Sequence, residues 1–419
     1  MYPRLSDLIQ DVFGAYIPLP IQSYGFMMAI AFIVGAVITY YEMKRKEEEG
    51  IFLPIYLKEK IGEPAKASEL IISLVVGFLI GFKLFAAIKN YDAFVANPQY
   101  FLVSKEGSFT GGLLVGIISM AYTWWDKNRK KLDQPRWIAR KIMPHDLIGN
   151  MIVIAGVWGL IGAKIFHILA HIPDEFLVDP WGTIFSFGGL AFYGGLIFGF
   201  VAIMLYLKKY NVNLLHATDI AAVVLPITYA IGRIGCQISG DGCWGIPNPK
   251  PKPDWLSFLP DWMWSFDYPH NVLGAAGATP EWGIHVEKIA GCTGEFCYKL
   301  ATPVYPTPFY ETTIMFIVFL ILWFMRKKVK RPGILFSWYL IFAGIERFFI
   351  EFIRHTTRYH FLGISATQAQ IISVIMFVAG VAGLIFIYRK PQVIDKWAEV
   401  KPKEINLPPK DMEIVEGEK

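Results

Sequence analysis

The sequence predicts an all-α polytopic membrane protein with about nine transmembrane helices. The 419-residue chain is 54% hydrophobic and only 18% charged, and its apolar residues are gathered in long blocks. Soluble domains average about 25% charged residues. Blocks such as 21–41 and 371–388 match the roughly 20 residues that cross the hydrocarbon core of a bilayer. This composition excludes a soluble fold, a secreted disulfide scaffold and a disordered chain.

The apolar blocks predict spans near 21–41, 69–89, 109–125, 148–170, 184–207, 217–236, 309–325, 333–353 and 366–388. They predict six parts of the chain. A first helix with its cytoplasmic loop spans 1–65, an extra two-helix repeat with a basic loop spans 66–144, and core helices span 145–236. A periplasmic loop domain at 237–308, C-terminal core helices at 309–390 and a tail at 391–419 follow. The tail mixes Lys, Glu and Pro with little apolar content, which predicts disorder.

Basic clusters set the predicted orientation, because Lys and Arg are enriched in cytoplasmic loops. They follow the first, third, fifth and seventh spans, and the loop 171–182 contains no Lys or Arg. An outer N-terminus and a cytoplasmic C-terminus satisfy this pattern. The net charge of +5 is spread along the chain, so we expect the lipid bilayer rather than nucleic acid as a partner.

The longest predicted outer loop, 237–308, contains Cys243, Cys292 and Cys297. Cys292 and Cys297 are close enough in sequence to form a disulfide in an oxidising periplasm, but two free thiols also fit. The cysteine spacings lack the Cys-x-x-Cys pairs of a zinc site, so we expect no metal.

Two pairs of segments repeat. Residues 108–116 resemble 191–199, and 81–85 resemble 162–166, at offsets of 83 and 81 residues. This predicts a tandem duplication of a two-span unit, with both copies in the same orientation. The alternative is chance recurrence of Gly-Gly-apolar strings, which are frequent where membrane helices pack closely.

Ionisable residues inside spans are costly and therefore candidates for function. The clearest are predicted to lie in the outer half of the bilayer, with Tyr24 and Tyr193 at similar depth: Lys83, Lys164, Arg233, Arg347 and Glu351. Several cations at one depth indicate an anionic ligand from the outer leaflet, such as a phospholipid headgroup.

In the eighth span, Arg347, Glu351 and Arg354 stand at i, i+4 and i+7 and are expected to share one helical face. Glu351 can orient guanidinium groups that bind phosphate through paired hydrogen bonds. A buried ion-pair ladder without a ligand is an equally good interpretation of this span.

The sixth span ends in a glycine-rich stretch, 232–245, that begins with Gly-Arg233. Glycine lets the backbone approach a ligand and turn sharply. Asp241 is expected either to pair with Arg233 or to bind the substrate, whereas a simple helix end with an interfacial turn is the alternative. Asp219 and Glu311, at span starts, are interpreted as mainly structural.

Five blocks, in this order, resemble the prolipoprotein diacylglyceryl transferase family of bacterial inner-membrane enzymes. They are Ser-Tyr24-Gly, Phe-Tyr193-Gly194-Gly-Leu-Ile, Gly-Arg233-Ile-Gly with the later Gly240, Trp244 and Gly245, Pro-Thr-Pro-Phe-Tyr-Glu311, and Arg347-Phe-Phe-Ile-Glu351-Phe-Ile-Arg354. The resemblance covers roughly 20–45 and 145–385.

The resemblance implies phosphatidylglycerol as donor and the lipobox cysteine of a preprolipoprotein as acceptor, with a thioether formed, glycerol phosphate released and no cofactor. Arg233 and Arg347 would be catalytic and bind the phosphate. Further phosphatidylglycerol contacts are expected from Tyr24, Asp241 and Lys164. Supporting roles fall to four residues: Glu351, Arg354, Gly194 and Gly245.

Several positions depart from the family pattern. Tyr193 stands where the family usually has His, and it is a poor base for a thiol unless its pKa is strongly shifted. Cys236 and Ser239 replace two Asn residues, and Asp241 replaces Glu. We therefore expect either an active branch in which Tyr193 is catalytic, or a non-catalytic phospholipid-binding or assembly protein on the same fold. A transporter is a further alternative.

Overall fold

The computed structural model describes residues 1–96, 98–172, 176–185, 189, 191–354, 356, 358–361 and 364–416. The α-helices are α1 Leu5–Phe13, α2 Ser23–Glu48, α3 Ala67–Lys89, α4 Tyr91–Ala96, α5 Pro98–Val103, α6 Phe109–Arg129, α7 Ile148–Ala170, α8 Pro180–Phe185, α9 Phe192–Lys209, α10 Leu214–Ser239, α11 Thr307–Met325, α12 Ile334–Ile350, α13 Gln368–Arg389 and α14 Pro391–Ala398. The strands are β1 Ile55–Ile61, β2 Arg136–Ile142, β3 Val286–Lys288, β4 Tyr298–Leu300, β5 Arg358–Phe361, β6 Ile364–Thr367 and β7 Glu413–Glu416.

The protein is a multi-pass membrane protein. In the described part of the chain, six helical segments are long and apolar enough to cross a bilayer: Ser23–Glu48, Ala67–Lys89, Pro144–Leu169, Leu214–Ser239, Thr307–Met325 and Gln368–Arg389. The other three predicted spans are also helices, α6, α9 and α12, of 21, 18 and 17 residues. The membrane class is therefore confirmed, whereas nine spans and their orientation stay predictions.

The chain divides into two compact units. The first comprises 1–49 and 213–400. In this unit α10 packs against α2, α11 and α12, and α13 packs against α12. Glycines let α12 and α13 approach closely, because a Cβ on Gly380 would lie 2.6 Å from the backbone oxygen of Ser337. The core of the unit is formed by small and aliphatic side chains around Tyr339: Ala222, Val223, Ala230, Met315, Val318, Leu322, Leu335 and Ala343.

Asp219 caps a neighbouring helix. Its carboxylate accepts hydrogen bonds from the backbone N–H groups of Gly333 at 2.9 Å and Phe336 at 3.0 Å. These donors belong to the first turn of α12, where amide groups have no partner inside the helix. The structural role expected for Asp219 is confirmed, although the helix that it stabilises is α12 rather than its own.

The segment between α10 and α11 forms a small folded element. Strands β3 and β4 pair in antiparallel register, and a compact apolar cluster lies beside them: Trp244, Tyr268, Ile284, Leu300 and Val304. Cys292 and Cys297 form a disulfide in this element. The structure thereby decides between the disulfide and two free thiols, which the sequence left open.

The second unit comprises 50–212 and 401–419. It contains two helix pairs, α3 with α6 and α7 with α9, and a sheet of order β1-β2-β7. Strand β7 pairs in parallel with β2, with Glu413 opposite Ile138 and Glu416 opposite Lys141. The prediction of a disordered tail from 391 was wrong for the residues described, because the tail forms α14 and then β7.

The two helix pairs of this unit pack alike. A Cβ on Gly81 would lie 2.4 Å from the backbone oxygen of Gly111, and a Cβ on Gly162 would lie 2.4 Å from that of Gly194. These glycines occupy matching places in the sequence repeat. Equivalent backbone contacts at equivalent positions are the packing that a duplicated two-helix unit would have.

Lys83 has a structural role. Its Nζ donates hydrogen bonds to the backbone oxygens of Phe101, Ser104 and Glu106 at 3.0, 2.6 and 2.8 Å. An ammonium group has three donors, and these contacts account for all of them. The structure therefore does not support Lys83 as part of an anion site.

Candidate active site

Glu311 is the centre of a buried charge cluster in the first unit. Its side chain is fully buried, at 0% exposure, near the start of α11. Arg233 Nε lies 2.9 Å from Glu311 Oε2. Glu311 Oε1 accepts hydrogen bonds from Nη1 of Arg347 at 3.0 Å and from Nη1 of Arg354 at 3.2 Å. The hydroxyl of Tyr229 donates to Oε1 at 3.1 Å. One carboxylate thus holds three guanidinium groups together.

The cluster brings together the residues on which the phosphate hypothesis depends. Arg233 on α10 and Arg347 on α12 were predicted to converge, and both contact the same carboxylate. The place of Glu311 at a span start predicts a mainly structural residue, and that place does not reveal its central position among the arginines. A Tyr-Glu pair opening an apolar span was the available signal, but three arginine partners from distant segments do not follow from it.

The shared helical face predicted for Arg347, Glu351 and Arg354 was only half right. Arg347 Nη2 lies 3.0 Å from Glu351 Oε2, as the i, i+4 spacing predicts. However, α12 ends at Ile350, a 3₁₀ turn follows, and Arg354 has extended backbone angles of −96° and 151°. Arg354 therefore reaches Glu311 from outside the helix, and Glu351 pairs with Arg347 among the described contacts.

Gly245 makes room for the segment that carries Arg354. Gly245 and Arg354 are partners in an isolated antiparallel bridge, and a Cβ at Gly245 would lie 2.4 Å from the backbone oxygen of Ile353. A backbone oxygen cannot rotate away as a side chain can. Gly245 thus lets the segment after α12 approach closely, and its supporting role in the reaction stays a prediction.

The three arginines remain partly accessible. Their side chains are 15%, 17% and 16% exposed for Arg233, Arg347 and Arg354, whereas Glu311 and Glu351 are at 0%. Glu346 on α12, a third acid, also interacts electrostatically with all three arginines. Accessible guanidinium donors suit a phosphate group, which Arg binds through parallel N–H donors.

A cluster of sulfur and oxygen atoms lies beside Arg233. Nη1 of Arg233 is 3.8 Å from Sγ of Cys236. Oδ1 of Asp241 accepts the backbone N–H of Cys243 at 3.2 Å. One atom each from Cys236, Asp241 and Cys243 lie within 4.8 Å of one another. Arg233 pairs with Glu311 rather than Asp241 in the described contacts, so the ion pair expected between Arg233 and Asp241 is not formed.

Tyr24 and Tyr268 border this region. Tyr24 lies in the first turn of α2, and its Cδ2 is 3.3 Å from where a Cβ on Gly235 would stand. The hydroxyl of Tyr268 donates to Oε1 of Gln237 at 2.8 Å, and burial raises the pKa of Tyr268 well above its usual value. Tyr268 is therefore a neutral hydrogen-bond donor.

An apolar groove of about 420 Å³ runs between α11 and α12. It begins at Tyr310 and Ile353, neighbours in sequence of Glu311 and Arg354, and it is lined further along by aliphatic and aromatic side chains with one acid: Ile314, Val318, Phe342, Ile345, Glu346, Phe349 and Ile350. The groove therefore leads from the charge cluster along the lipid-spanning part of both helices.

Three predicted site residues belong to the second unit. Lys164 lies on α7, and Tyr193 and Gly194 lie in the first turn of α9. A Cβ on Gly194 would lie 2.2 Å from the backbone oxygen of Gly162, so this glycine supports the packing of α9 on α7. The roles predicted for Lys164 and Tyr193 stay predictions.

Comparison with known proteins identifies the family. The sequence profile described as prolipoprotein diacylglyceryl transferase matches residues 11–137 and 133–386. The chain belongs to this family. The diacylglyceryl transferase resemblance inferred from the five sequence blocks is thus confirmed, and it extends over most of the chain rather than over 20–45 and 145–385 alone.

Individual relatives are similar over most of their lengths. The chain is 25% identical over 339 residues to the phosphatidylglycerol–prolipoprotein diacylglyceryl transferase of Leptospira interrogans. The aligned region covers 68% of this chain and 91% of the relative. It is 28% identical over 291 residues to the protein of the same name from Ralstonia pickettii, covering 67% and 89%. The Clostridium botulinum protein of that name is 30% identical over 246 residues, covering 58% and 80%.

Proposed function

We propose that this protein transfers the diacylglyceryl group of phosphatidylglycerol to the lipobox cysteine of preprolipoproteins, the first step of lipoprotein maturation. The observation that carries the proposal is the convergence of Arg233, Arg347 and Arg354 on Glu311 with all three guanidinium groups partly exposed. The names of the relatives supply the substrates. The protein is accordingly a glyceryl-transferring transferase that acts in protein lipidation.

The arginines would act on the bond that breaks. When the acceptor sulfur attacks the glyceryl carbon, the C–O bond to phosphate breaks and its electron pair leaves with glycerol phosphate. The phosphate gains negative charge in the transition state, and preorganised guanidinium donors stabilise that charge most strongly where water is scarce. Glu311 and Glu351 would hold the donors in place, while Tyr24 and Asp241 would contact the headgroup or the acceptor.

The groove between α11 and α12 supports a place for one acyl chain of the donor. It starts beside the charge cluster and its lining is apolar apart from Glu346 and the hydroxyl of Tyr310. A phospholipid whose phosphate contacts Arg347 would therefore place a chain along Ile314 and Val318 on α11. Apolar burial of this kind contributes about 0.8 kcal/mol per methylene group.

The proposed setting is the bacterial cytoplasmic membrane with the charge cluster toward its outer face. The basic clusters after alternate predicted spans support an outer N-terminus and a cytoplasmic C-terminus. The disulfide between Cys292 and Cys297 also supports an outer position for the segment between α10 and α11, because disulfides persist in oxidising compartments. The acceptor peptide would approach from that side.

The decisive experiment uses purified protein in phosphatidylglycerol vesicles with a lipobox peptide. We expect a thioether-linked diacylglyceryl peptide together with free glycerol phosphate. Arg233→Ala should lower the rate by at least the roughly 10²–10³-fold that loss of one transition-state donor costs. Arg331→Ala, which removes a partly exposed arginine paired with Asp395, is the matched control and should leave the rate unchanged.

Two results would contradict the proposal. Wild-type rates in Arg233→Ala would remove Arg233 from the mechanism. Bound phosphatidylglycerol without product from any lipobox peptide would instead assign the chain to the non-catalytic lipid-binding alternative. Growth rescue of a strain depleted of its own transferase tests the same distinction in the cell.

A further inference from the structure

Two cysteines and an aspartate meet at the end of α10. Cys236 lies in the last turn of the helix and is 5% exposed. The chain then turns through Gly240 and Gly242, whose φ angles of 65° and 88° favour glycine. This turn brings Asp241 and Cys243 back to Cys236, so that a Sγ atom of each cysteine and a carboxylate oxygen lie within 4.8 Å of one another.

The donor set fits zinc. Zinc is bound by Cys sulfur at about 2.3 Å and by carboxylate oxygen at about 2.0–2.2 Å in tetrahedral geometry, which separates two sulfur ligands by roughly 3.8 Å. Ligand atoms already within 4.8 Å need only small side-chain movements to reach that arrangement. Spacing alone argued against a metal, since Cys-x-x-Cys pairs are lacking, but the glycine turn replaces the local loop that such a pair supplies.

The surrounding charge is suitable. Two thiolates and one carboxylate around a divalent ion carry a net charge of −1. The guanidinium of Arg233, whose Nη1 is 3.8 Å from Sγ of Cys236, balances that charge. Catalytic zinc sites have three protein ligands and keep the fourth position open, whereas structural sites fill all four. Asp241 and Cys243 are only partly buried, which leaves room for a ligand from outside the protein core to take a fourth position.

The position beside Arg233 gives the site a chemical purpose. The proposed acceptor is a cysteine, and its sulfur must lose a proton before it attacks. Tyr193 stands where the family usually has His, and a phenol hydroxyl is a weaker base than an imidazole. A thiol bound to zinc is deprotonated outright. A metal here would therefore supply a thiolate next to the arginines that receive the leaving phosphate.

We propose that Cys236, Asp241 and Cys243 bind a zinc ion whose open position takes the acceptor cysteine of the lipobox peptide as a thiolate. This rests on the proposed transferase function. The S–H proton passes to water, the sulfur forms a bond to the glyceryl carbon, and the C–O bond breaks with its electron pair leaving on glycerol phosphate. No oxidation or reduction takes place.

The first test measures zinc itself and needs no activity. The full-length protein is purified without chelator, dialysed against buffered zinc, and analysed for metal content. We expect about one zinc ion per chain. Cys236→Ser and Cys243→Ser should each weaken binding by more than the roughly 10–100-fold that loss of a second-shell partner costs. The double variant Cys292→Ser, Cys297→Ser removes two cysteines outside the cluster and should retain the ion.

Cobalt substitution reports which ligands are used. Co²⁺ in place of zinc should give an intense thiolate-to-metal charge-transfer band that is weakened in Cys236→Ser and in Cys243→Ser. Adding lipobox peptide should change this spectrum, whereas the same peptide with Ser in place of its cysteine should not. Asp241→Asn is the conservative variant at the third ligand and should lower affinity while leaving the sulfur band in place.

Several outcomes would overturn the proposal. They are wild-type protein without zinc after dialysis, equal metal loss in the Cys292 and Cys297 double variant, and a Cys236–Cys243 disulfide in protein that transfers lipid. Transfer that survives complete chelation would also refute the metal site while leaving the transferase function intact. Conversely, bound zinc with a peptide-sensitive cobalt spectrum but no transfer would support the site and refute the proposed function.

Discussion

Replacing Glu311 by Gln tests whether one buried carboxylate organises the cluster. Gln is nearly isosteric and keeps an oxygen acceptor, but it removes the charge that faces Arg233, Arg347 and Arg354 at 2.9, 3.0 and 3.2 Å. The three guanidinium groups would then repel one another, with the salt bridge from Arg347 to Glu351 still in place. Removing one partner from a buried ion pair typically costs about 3–5 kcal/mol, because the remaining charge stays buried.

The magnitude follows from the burial of these groups. A pair of charges 4 Å apart attracts with about 4 kcal/mol at an effective dielectric constant of 20, and desolvation offsets much of that gain. Arg233, Arg347 and Arg354 are only 15%, 17% and 16% exposed, so their guanidinium groups cannot fully recover hydration when the shared carboxylate is lost. We therefore expect Glu311→Gln to lower the free energy of unfolding by about 3–5 kcal/mol, or roughly 6–20 °C in Tm for a unit of this size.

The assay is thermal unfolding in detergent, followed by transfer activity at a temperature where the variant is folded. Glu295→Gln is the matched control, since it also faces an arginine, Arg4 at 2.8 Å, but its side chain is 66% exposed. Exposed pairs contribute about 0–1 kcal/mol. If Glu311→Gln and Glu295→Gln shift the Tm equally, or if Glu311→Gln keeps the wild-type rate, the carboxylate does not organise the arginines.

Three further predictions concern the supports of the site and the proposed base. Gly245→Ala should destabilise by about 1–3 kcal/mol and lower the transfer rate, because the new Cβ would displace the backbone at Ile353; unchanged activity would refute the positioning role. Asp219→Ala should cost about 1 kcal/mol through loss of the cap on α12 while leaving the rate of folded protein unchanged, which unfolding and transfer assays separate. Tyr193→Phe should leave the rate nearly unchanged, because the thiol proton passes to water at the proposed metal site; a large loss of rate with unchanged phosphatidylglycerol binding would instead make Tyr193 the base.

Local features of the sequence predicted the helices well. Apolar blocks of roughly bilayer length correspond to α3, α7 and α13 within two residues, because a span must satisfy its backbone hydrogen bonds internally, whereas α2 continues seven residues beyond its predicted end. The charge pairing of Arg347 with Glu351 also follows from local spacing. The family followed from short blocks in a fixed order, since each block combines glycines with a charged or aromatic residue.

Local features of the sequence do not predict contacts between distant segments. The tail appeared disordered because its composition is polar, but β7 is stabilised by hydrogen bonds to β2, which lies about 275 residues earlier along the chain. Helix α12 ends at Ile350, so Arg354 lies outside it, and the backbone bridge to Gly245 positions Arg354. Neither composition nor residue spacing indicates that β7 will pair with β2 or that Arg354 will pair with Gly245.

The sequence by itself determined that this protein resides in a membrane and where most of its long apolar helices lie, since both depend on the hydropathy of residues near one another in the chain. It also marked Arg233 and Arg347 as costly charges within apolar blocks. The tertiary structure decided which carboxylate those arginines share and which side chains meet around Cys236. Helix packing sets these distances, and a difference of a few ångströms separates an ion pair or a metal ligand from a residue with neither role.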